Sequence, residues 1–127
     1  MKYICVFLFV VFSFSANAEL IRSQVAANRT AKLNVYSYYV PETCSSATLP
    51  KVSFVKKPEH GVVRFVQSRS ALTKTAGKCA GKQTNDLIMY YSPDKDFQGT
   101  DKVVTKFRMY SAGRVISGGN TYEIEIK

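Results

Sequence analysis

Apolar and polar residues alternate with a period of two along most of the chain after residue 18, and this period predicts β-strands. The predicted strands cover residues 20–26, 33–40, 52–55, 62–66, 87–91, 102–110 and 115–127, the last with an interruption at 117–119. We find no convincing helical period. The pattern therefore predicts an all-β sandwich of about seven strands.

The segment between the fifth and sixth predicted strands carries strong turn signals. Pro93 ends the fifth strand, because proline cannot donate to a sheet ladder. Asp94 and Asp96 are suited to accept hydrogen bonds from backbone amides just downstream, and Gly99 permits a positive φ. Phe97 is the one large apolar side chain that can hold this corner against a core. We expect a tight corner between two core strands.

Two connections are predicted with less regular patterns. The turn Glu59-His60-Gly61 lies between the third and fourth predicted strands, which predicts that they form a hairpin. Residues 68–84 lack apolar rhythm and are rich in Ser, Thr, Gly and Lys, which predicts a long loop. A loop of this length is a candidate binding loop if it is tied down.

The N-terminus has the pattern of a secretory signal peptide. Lys2 precedes an apolar run at residues 3–14, and Ala16-Asn17-Ala18 is a small-residue cleavage pattern. An uncleaved anchor is the alternative, but the run is shorter than the roughly 20 residues of a spanning helix. We therefore expect residues 1–18 to be a signal peptide and residues 19–127 to be one domain in the periplasm or the medium.

Cys44 and Cys79 are the two cysteines after residue 18. An even number of cysteines in an exported protein predicts one disulfide, which here would tie down the 68–84 loop. The alternative is a pair of free buried thiols.

Two motifs occur in order between residues 51 and 127, namely Pro58-x-His60-Gly61-x-Val63, and Tyr91-x-Pro93 followed by Phe97-x-Gly99-Thr100-Asp101. They resemble the repeated Ig-like or cadherin-like modules of bacterial surface proteins and adhesins. The resemblance implies an Ig-like sandwich in which His60, Pro93, Gly99 and Asp101 build turns and core. This chain differs from those modules in having a single copy and a predicted disulfide.

Catalytic and metal-binding patterns are weak. His60 is the only histidine, and beside a glycine in a turn it is more typical of a structural group than of a catalyst. No serine lies in a nucleophile-elbow pattern, and the ligands for zinc are lacking. Asp94, Asp96 and Asp101 could surround calcium, although corner capping is the simpler explanation. We expect no enzyme activity and no cofactor.

Charge is more informative than these motifs. Without Lys2 the chain has 17 basic and 9 acidic residues, a net charge of +8, and residues 51–82 hold eight basic residues against Glu59 alone. A basic surface that only aids solubility is the alternative to a binding site. The residues predicted to bind an anionic partner are Lys56, Lys57, Arg64, Arg69, Lys74 and Lys78.

Two hypotheses of function follow. The first is a non-enzymatic binding module that contacts lipopolysaccharide, an acidic glycan or an acidic protein through this basic face, with no role for nucleic acid. The second is a small structural or inhibitory protein that binds a protein partner through edge strands or through exposed tyrosines at Tyr36, Tyr38 and Tyr39. Salt dependence of binding separates them, because ionic strength weakens charge-led contacts.

Overall fold

The computed structural model describes residues 19–127, and most of them lie in β-strands. The predicted signal peptide at residues 1–18 is outside the described residues. The strands are β1 (Glu19–Val25), β2 (Ala31–Ser37), β3 (Tyr39–Val40), β4 (Ser45–Ser46), β5 (Lys51–Lys56), β6 (Gly61–Ala71), β7 (Gln83–Pro93), β8 (Gly99–Ser111) and β9 (Arg114–Ile126). A 3-10 helix at Lys74–Cys79 is the only helical element in residues 19–127, where no helix is long and apolar enough to cross a membrane.

The strands form two main sheets. The four-stranded sheet has the order β1-β9-β8-β5, with β1 parallel to β9, and the three-stranded sheet has the order β2-β7-β6. Without the two-residue strands β3 and β4, the sheet β2-β7-β6 holds the second, fifth and fourth of seven strands, and β5, β8 and β9 are the third, sixth and seventh, as in immunoglobulin sandwiches. The first strand differs, because β1 lies beside β9 and not in the sheet of the second strand. The predicted all-β, Ig-like sandwich is confirmed. The count is nine strands instead of seven because the two-residue strands β3 and β4 pair separately.

The core contains side chains from both sheets. Leu33, Met89 and Tyr91 come from the three-stranded sheet, and Val103 and Tyr122 are among those from the four-stranded sheet. These side chains are buried because alternate residues of each strand face the opposite sheet. The core therefore joins the two sheets into one sandwich.

Tyr36 also enters this interior, where its hydroxyl lies 3.3 Å from the hydroxyl of Tyr122. Only 3% of Tyr36 is exposed, so its predicted place on an outer tyrosine surface is wrong. The reason is a register shift between Lys32 and Asn34, which moves the residues after it to the other face of the strand. Burial raises the pKa of Tyr122, and the bond to Tyr36 raises it further.

Asp101 connects the corner to the start of β6. Its carboxylate accepts hydrogen bonds from the amides of Glu59, His60 and Lys102 at 3.0, 3.0 and 2.9 Å, and from the hydroxyl of Tyr91 at 2.7 Å. These bonds hold the segment between β5 and β6 where the chain passes from one sheet to the other. The predicted hairpin is therefore wrong, because β5 pairs with β8 and β6 pairs with β7.

The corner is as predicted in its strand end and in Gly99, but the predicted capping by Asp94 and Asp96 is wrong, because the Asp96 carboxylate accepts from the side-chain amide of Asn28 and Asp94 accepts through its backbone carbonyl. Strand β7 ends at Pro93, and Gly99 has a φ of 139°. The residues between them turn through a hydrogen bond from the amide of Phe97 to the carbonyl of Asp94, at 3.1 Å.

The predicted loop at residues 68–84 is wrong at both ends, and the connection covers residues 72–82. Strands β6 and β7 stay paired as far as Ala71 and Gln83, and the 3-10 helix fills part of the remaining connection. Backbone pairing persists there without an apolar alternation, because the ladder depends on amides and carbonyls instead of side chains. The disulfide between Cys44 and Cys79 is confirmed, with a Cα–Cα distance of 5.3 Å.

The predicted interruption at residues 117–119 is also wrong, since β9 is continuous. Gly118 lies opposite Phe107, and a Cβ atom at Gly118 would be 2.9 Å from the phenyl ring. The small residues therefore make room for an aromatic side chain within a regular ladder.

We expect Gly61→Ala to destabilise the domain. A Cβ atom there would lie 2.6 Å from the carbonyl oxygen of Ser92 and 2.6 Å from the ring of Tyr91, so backbone and core must shift. Such overpacking costs about 1–3 kcal/mol. A loss of unfolding free energy within about 0.5 kcal/mol in urea titrations, as for most surface substitutions, would contradict the close-approach explanation.

Candidate anion-binding surface

The six basic residues predicted to bind an anion do not form one surface. Lys56 is the last residue of β5 in the four-stranded sheet, and Lys57 follows it. Arg64 lies on the outer face of the three-stranded sheet, with its guanidinium 5.8 Å from the ring centre of Tyr90. Arg69 is on the part of β6 that pairs near the start of β7. These four side chains are therefore divided between the two sheets.

The other two belong to the disulfide-linked segment. Lys74 and Lys78 lie in the 3-10 helix, and the ammonium of Lys78 donates a hydrogen bond to the carbonyl of Glu42 at 3.2 Å. Lys56 already forms an ion pair, with its Nζ 3.5 Å from a carboxylate oxygen of Glu59. The structure thus leaves no single ligand position that all six could share.

A different basic group lies on the outer face of the four-stranded sheet. In β8 the side chains of Val103, Thr105 and Met109 are buried, so Lys106 and Arg108 point away from the core. Residues two apart on a strand are separated by about 7 Å, which places the two cations side by side. Lys51 of β5 is directly opposite Arg108 in the ladder.

These three cations line a shallow trough of about 860 Å³. Ser53 and Gly119 lie on either side of Lys106 in the ladder, and Ser117 lies beside Arg108. The small residues leave space between the longer basic side chains and add hydroxyl groups able to bond an oxyanion. We call this surface, defined by Lys51, Lys106 and Arg108 with their serine and glycine neighbours, the basic trough.

Nothing acidic balances the basic trough within the part of the chain that the structure describes. Lys51, Lys106 and Arg108 form no ion pair there. The two sequence segments that build the trough, residues 43–58 and 102–122, contain no Asp or Glu. Like charges directly opposite each other in a sheet repel, and a bound anion would relieve that repulsion.

A second depression of about 770 Å³ lies on the same sheet, nearer the acidic residues. It contains Arg22, Lys56 and Lys102, but Arg22 pairs with Glu123 at 3.2 Å and Lys56 with Glu59 at 3.5 Å. Two of its three cations are therefore neutralised by carboxylates of the same depression. The basic trough is the better candidate for an anionic ligand.

His60 has structural contacts in this fold. Its imidazole stacks on the ring of Phe97, with the ring centres 4.2 Å apart and the planes 7° from parallel. Its carbonyl accepts a hydrogen bond from the amide of Asp94 at 2.8 Å and lies 3.3 Å from the hydroxyl oxygen of Tyr91, whose hydrogen is donated to Asp101. These contacts fix the corner against the start of β6.

The acidic corner does not gather its carboxylates. Asp101 is occupied by backbone amides and Tyr91, whereas Asp96 exchanges two hydrogen bonds with Asn28, at 3.1 and 2.8 Å. Within residues 19–127, no three side chains of His, Cys, Asp or Glu lie close enough together to share a metal ion.

Sequence reasoning missed Lys106 and Arg108. A signal for them is present, because residues 102–122 hold four basic residues and no acidic one. Their position beside Lys51 depends on the pairing of β5 with β8, which the sequence pattern did not indicate. Comparison of the chain with protein-family models, with curated proteins and with solved structures finds no match.

Proposed function

We propose that this protein is an exported, non-enzymatic binding module that recognises an anionic envelope or extracellular partner through the basic trough. The observation that carries the proposal is the group of three cations on one sheet face, none of which forms an ion pair within residues 19–127. Its disulfide fits an oxidising compartment such as the periplasm or the medium. The strand order is compatible with kinship to the Ig-like modules of bacterial surface proteins, which are themselves binding and spacer domains.

The alternative of a tyrosine-led protein contact has less support. Tyr36 is buried and bonded within the core, so the proposed tyrosine surface loses one of its three members. Tyr38 remains 41% exposed, but it lines neither the basic trough nor the second depression. The basic trough offers more contacts to one ligand.

We expect the chain from Glu19 to Lys127 to bind heparin, used as an acidic-glycan probe, at low ionic strength. Exposed charge contacts contribute roughly 1 kcal/mol or less each, so affinity must come from several together and must fall as salt screens them. Reversal of all three trough charges, in Lys51→Glu, Lys106→Glu and Arg108→Glu, should weaken binding about tenfold or more. Isothermal titration at two salt concentrations measures this.

A matched control is available in the residues that the sequence suggested first. The triple variant Lys56→Glu, Lys57→Glu and Arg64→Glu changes the net charge by the same amount, from +8 to +2. We expect it to weaken binding clearly less, because these residues are not in the trough. Equal losses of heparin affinity in the two triple variants would show that net charge alone determines binding, and would reject the basic trough as a site.

A further inference from the structure

The tip of the β8–β9 hairpin continues the basic trough with exposed apolar side chains. Tyr110 and Val115 are directly opposite each other in the ladder and are 50% and 51% exposed. The guanidinium of Arg108 lies 5.8 Å from the ring centre of Tyr110. One face of the hairpin thus passes from cations to an apolar pair over two residues.

The tip is also cationic and firmly held. Ala112 and Gly113, with φ of 51° and 74°, form its two-residue turn, which Arg114 follows. Thr48 bonds the strand edge beside the tip, accepting from the amide of Tyr110 at 2.9 Å and donating to its carbonyl at 3.1 Å. Binding through this tip would therefore cost little ordering of the backbone.

We propose that the basic trough and this tip together dock the protein onto an anionic lipid bilayer, with Tyr110 and Val115 entering the headgroup boundary. The proposal rests on the proposed function, since the trough supplies the charge. Anionic headgroups match the trough, since no carboxylate of residues 19–127 forms an ion pair with Lys51, Lys106 or Arg108.

The apolar pair is what favours a bilayer over a soluble polyanion or an acidic protein. The trough cations alone can hold a soluble polyanion, which leaves the apolar area of Tyr110 and Val115 without a role, and an acidic protein would need a standard-sized surface matched to the trough and the tip together. Binding to a membrane surface requires only a shallow apolar contact next to several cations, because the apolar and the electrostatic contributions are each weak and add together. Tyrosine is moreover enriched at the membrane–water boundary.

Vesicle sedimentation tests the proposal with the chain from Glu19 to Lys127, which contains all nine strands and the disulfide. We expect binding at low salt to vesicles of equal parts phosphatidylglycerol and phosphatidylcholine, and none to phosphatidylcholine alone. The double variant Tyr110→Ser and Val115→Ser should lower vesicle partitioning about tenfold and leave heparin affinity unchanged. The double variant Val62→Ser and Val66→Ser, on the other sheet, should change neither.

The outcomes separate the two proposals. Both proposals are supported if the Lys51, Lys106 and Arg108 reversals abolish heparin and vesicle binding, and if the Tyr110→Ser and Val115→Ser variant loses vesicle binding alone. Unchanged vesicle partitioning of the tip variant overturns the docking proposal and leaves the proposed function intact. Binding of heparin or of an acidic protein without any binding to anionic vesicles also overturns it. Melting temperatures of all variants verify that each is folded.

A fluorescent reporter gives a second readout that does not remove the apolar contact. The chain contains no tryptophan, so Tyr110→Trp places a single one at the tip. We expect a blue shift of its emission on anionic vesicles, because the ring moves from water into the headgroup boundary. Val62→Trp, at a residue 64% exposed on β6 in the other sheet, should show no shift. Equal emission of the tip reporter with and without vesicles would overturn the proposal.

Discussion

Asp101→Ala should lower the free energy of unfolding by about 3–5 kcal/mol, because it leaves buried donors without an acceptor. The carboxylate is 6% exposed and accepts from the amides of Glu59, His60 and Lys102 and from the hydroxyl of Tyr91. A loss of this size is a large share of the stability of an ordinary domain. Urea titration of the wild type and the variant at pH 7 measures it.

The same carboxylate predicts an acid-sensitive component of stability. Burial raises the pKa of Asp101, but hydrogen bonds from Glu59, Tyr91, His60 and Lys102 outweigh it and hold the pKa below its usual range. A lowered pKa in the folded state gives stability that is present above the unfolded pKa of about 3.9 and is lost as pH falls towards the folded value. In a variant without Asp101, the free energy of unfolding should therefore fall less steeply as the pH is lowered below about 5.

Asp94→Ala is the matched control, since Asp94 is exposed in the same corner and the change in charge is identical. We expect an effect within about 0.5 kcal/mol, as for most surface substitutions. If Asp94→Ala lowers the free energy of unfolding as much as Asp101→Ala does, the effect is due to the charge of the corner. If stability depends on pH in Asp101→Ala as it does in the wild type, the lowered pKa of Asp101 is not the cause of the acid sensitivity.

The second large effect concerns the disulfide. Replacement of Cys44 and Cys79 by Ser should cost about 4 kcal/mol, because the bridge closes a loop with a sequence separation of 35 residues and thereby restricts the unfolded chain. The segment that contains the 3-10 helix should loosen first, since the bridge ties it to the region of β3 and β4. Urea titration and hydrogen exchange measure the two effects.

Heparin affinity distinguishes a structural from a binding role of this segment. The basic trough is built by β5, β8 and β9, so the folded Ser variant should retain its affinity. A large loss of affinity at a temperature where the variant is folded would show that the disulfide-linked segment contributes directly to binding. Unchanged stability on loss of the bridge would contradict the chain-entropy argument.

Local features were predictable from the sequence because local chemistry decides them. Pro93 ends its strand since it lacks an amide hydrogen, and Gly99 adopts the positive φ that the corner requires. Two cysteines in a chain with an export pattern indicated their bridge. The alternation of apolar residues indicated the class of the fold.

Strand partners were harder to predict, since they depend on contacts distant in sequence. The turn at Glu59-His60-Gly61 has the composition of a hairpin, yet Asp101, more than 40 residues away, binds its amides and directs the chain to the other sheet. Without the pairing of β5 to β8, nothing places Lys51 beside Arg108. A charge count by sequence segment therefore selected basic residues that the fold separates.

The position of β9 links the order of the chain to the order of folding. It lies between β1 and β8 within the four-stranded sheet, so the earliest and the last of the described strands are neighbours. The amide of Ala27 also bonds the carbonyl of Lys127, and the amide of Lys127 bonds the carbonyl of Val25. Pairing across nearly the whole domain is entropically slow. Until β9 is available, β1 has no partner and β8 exposes a long edge to other chains.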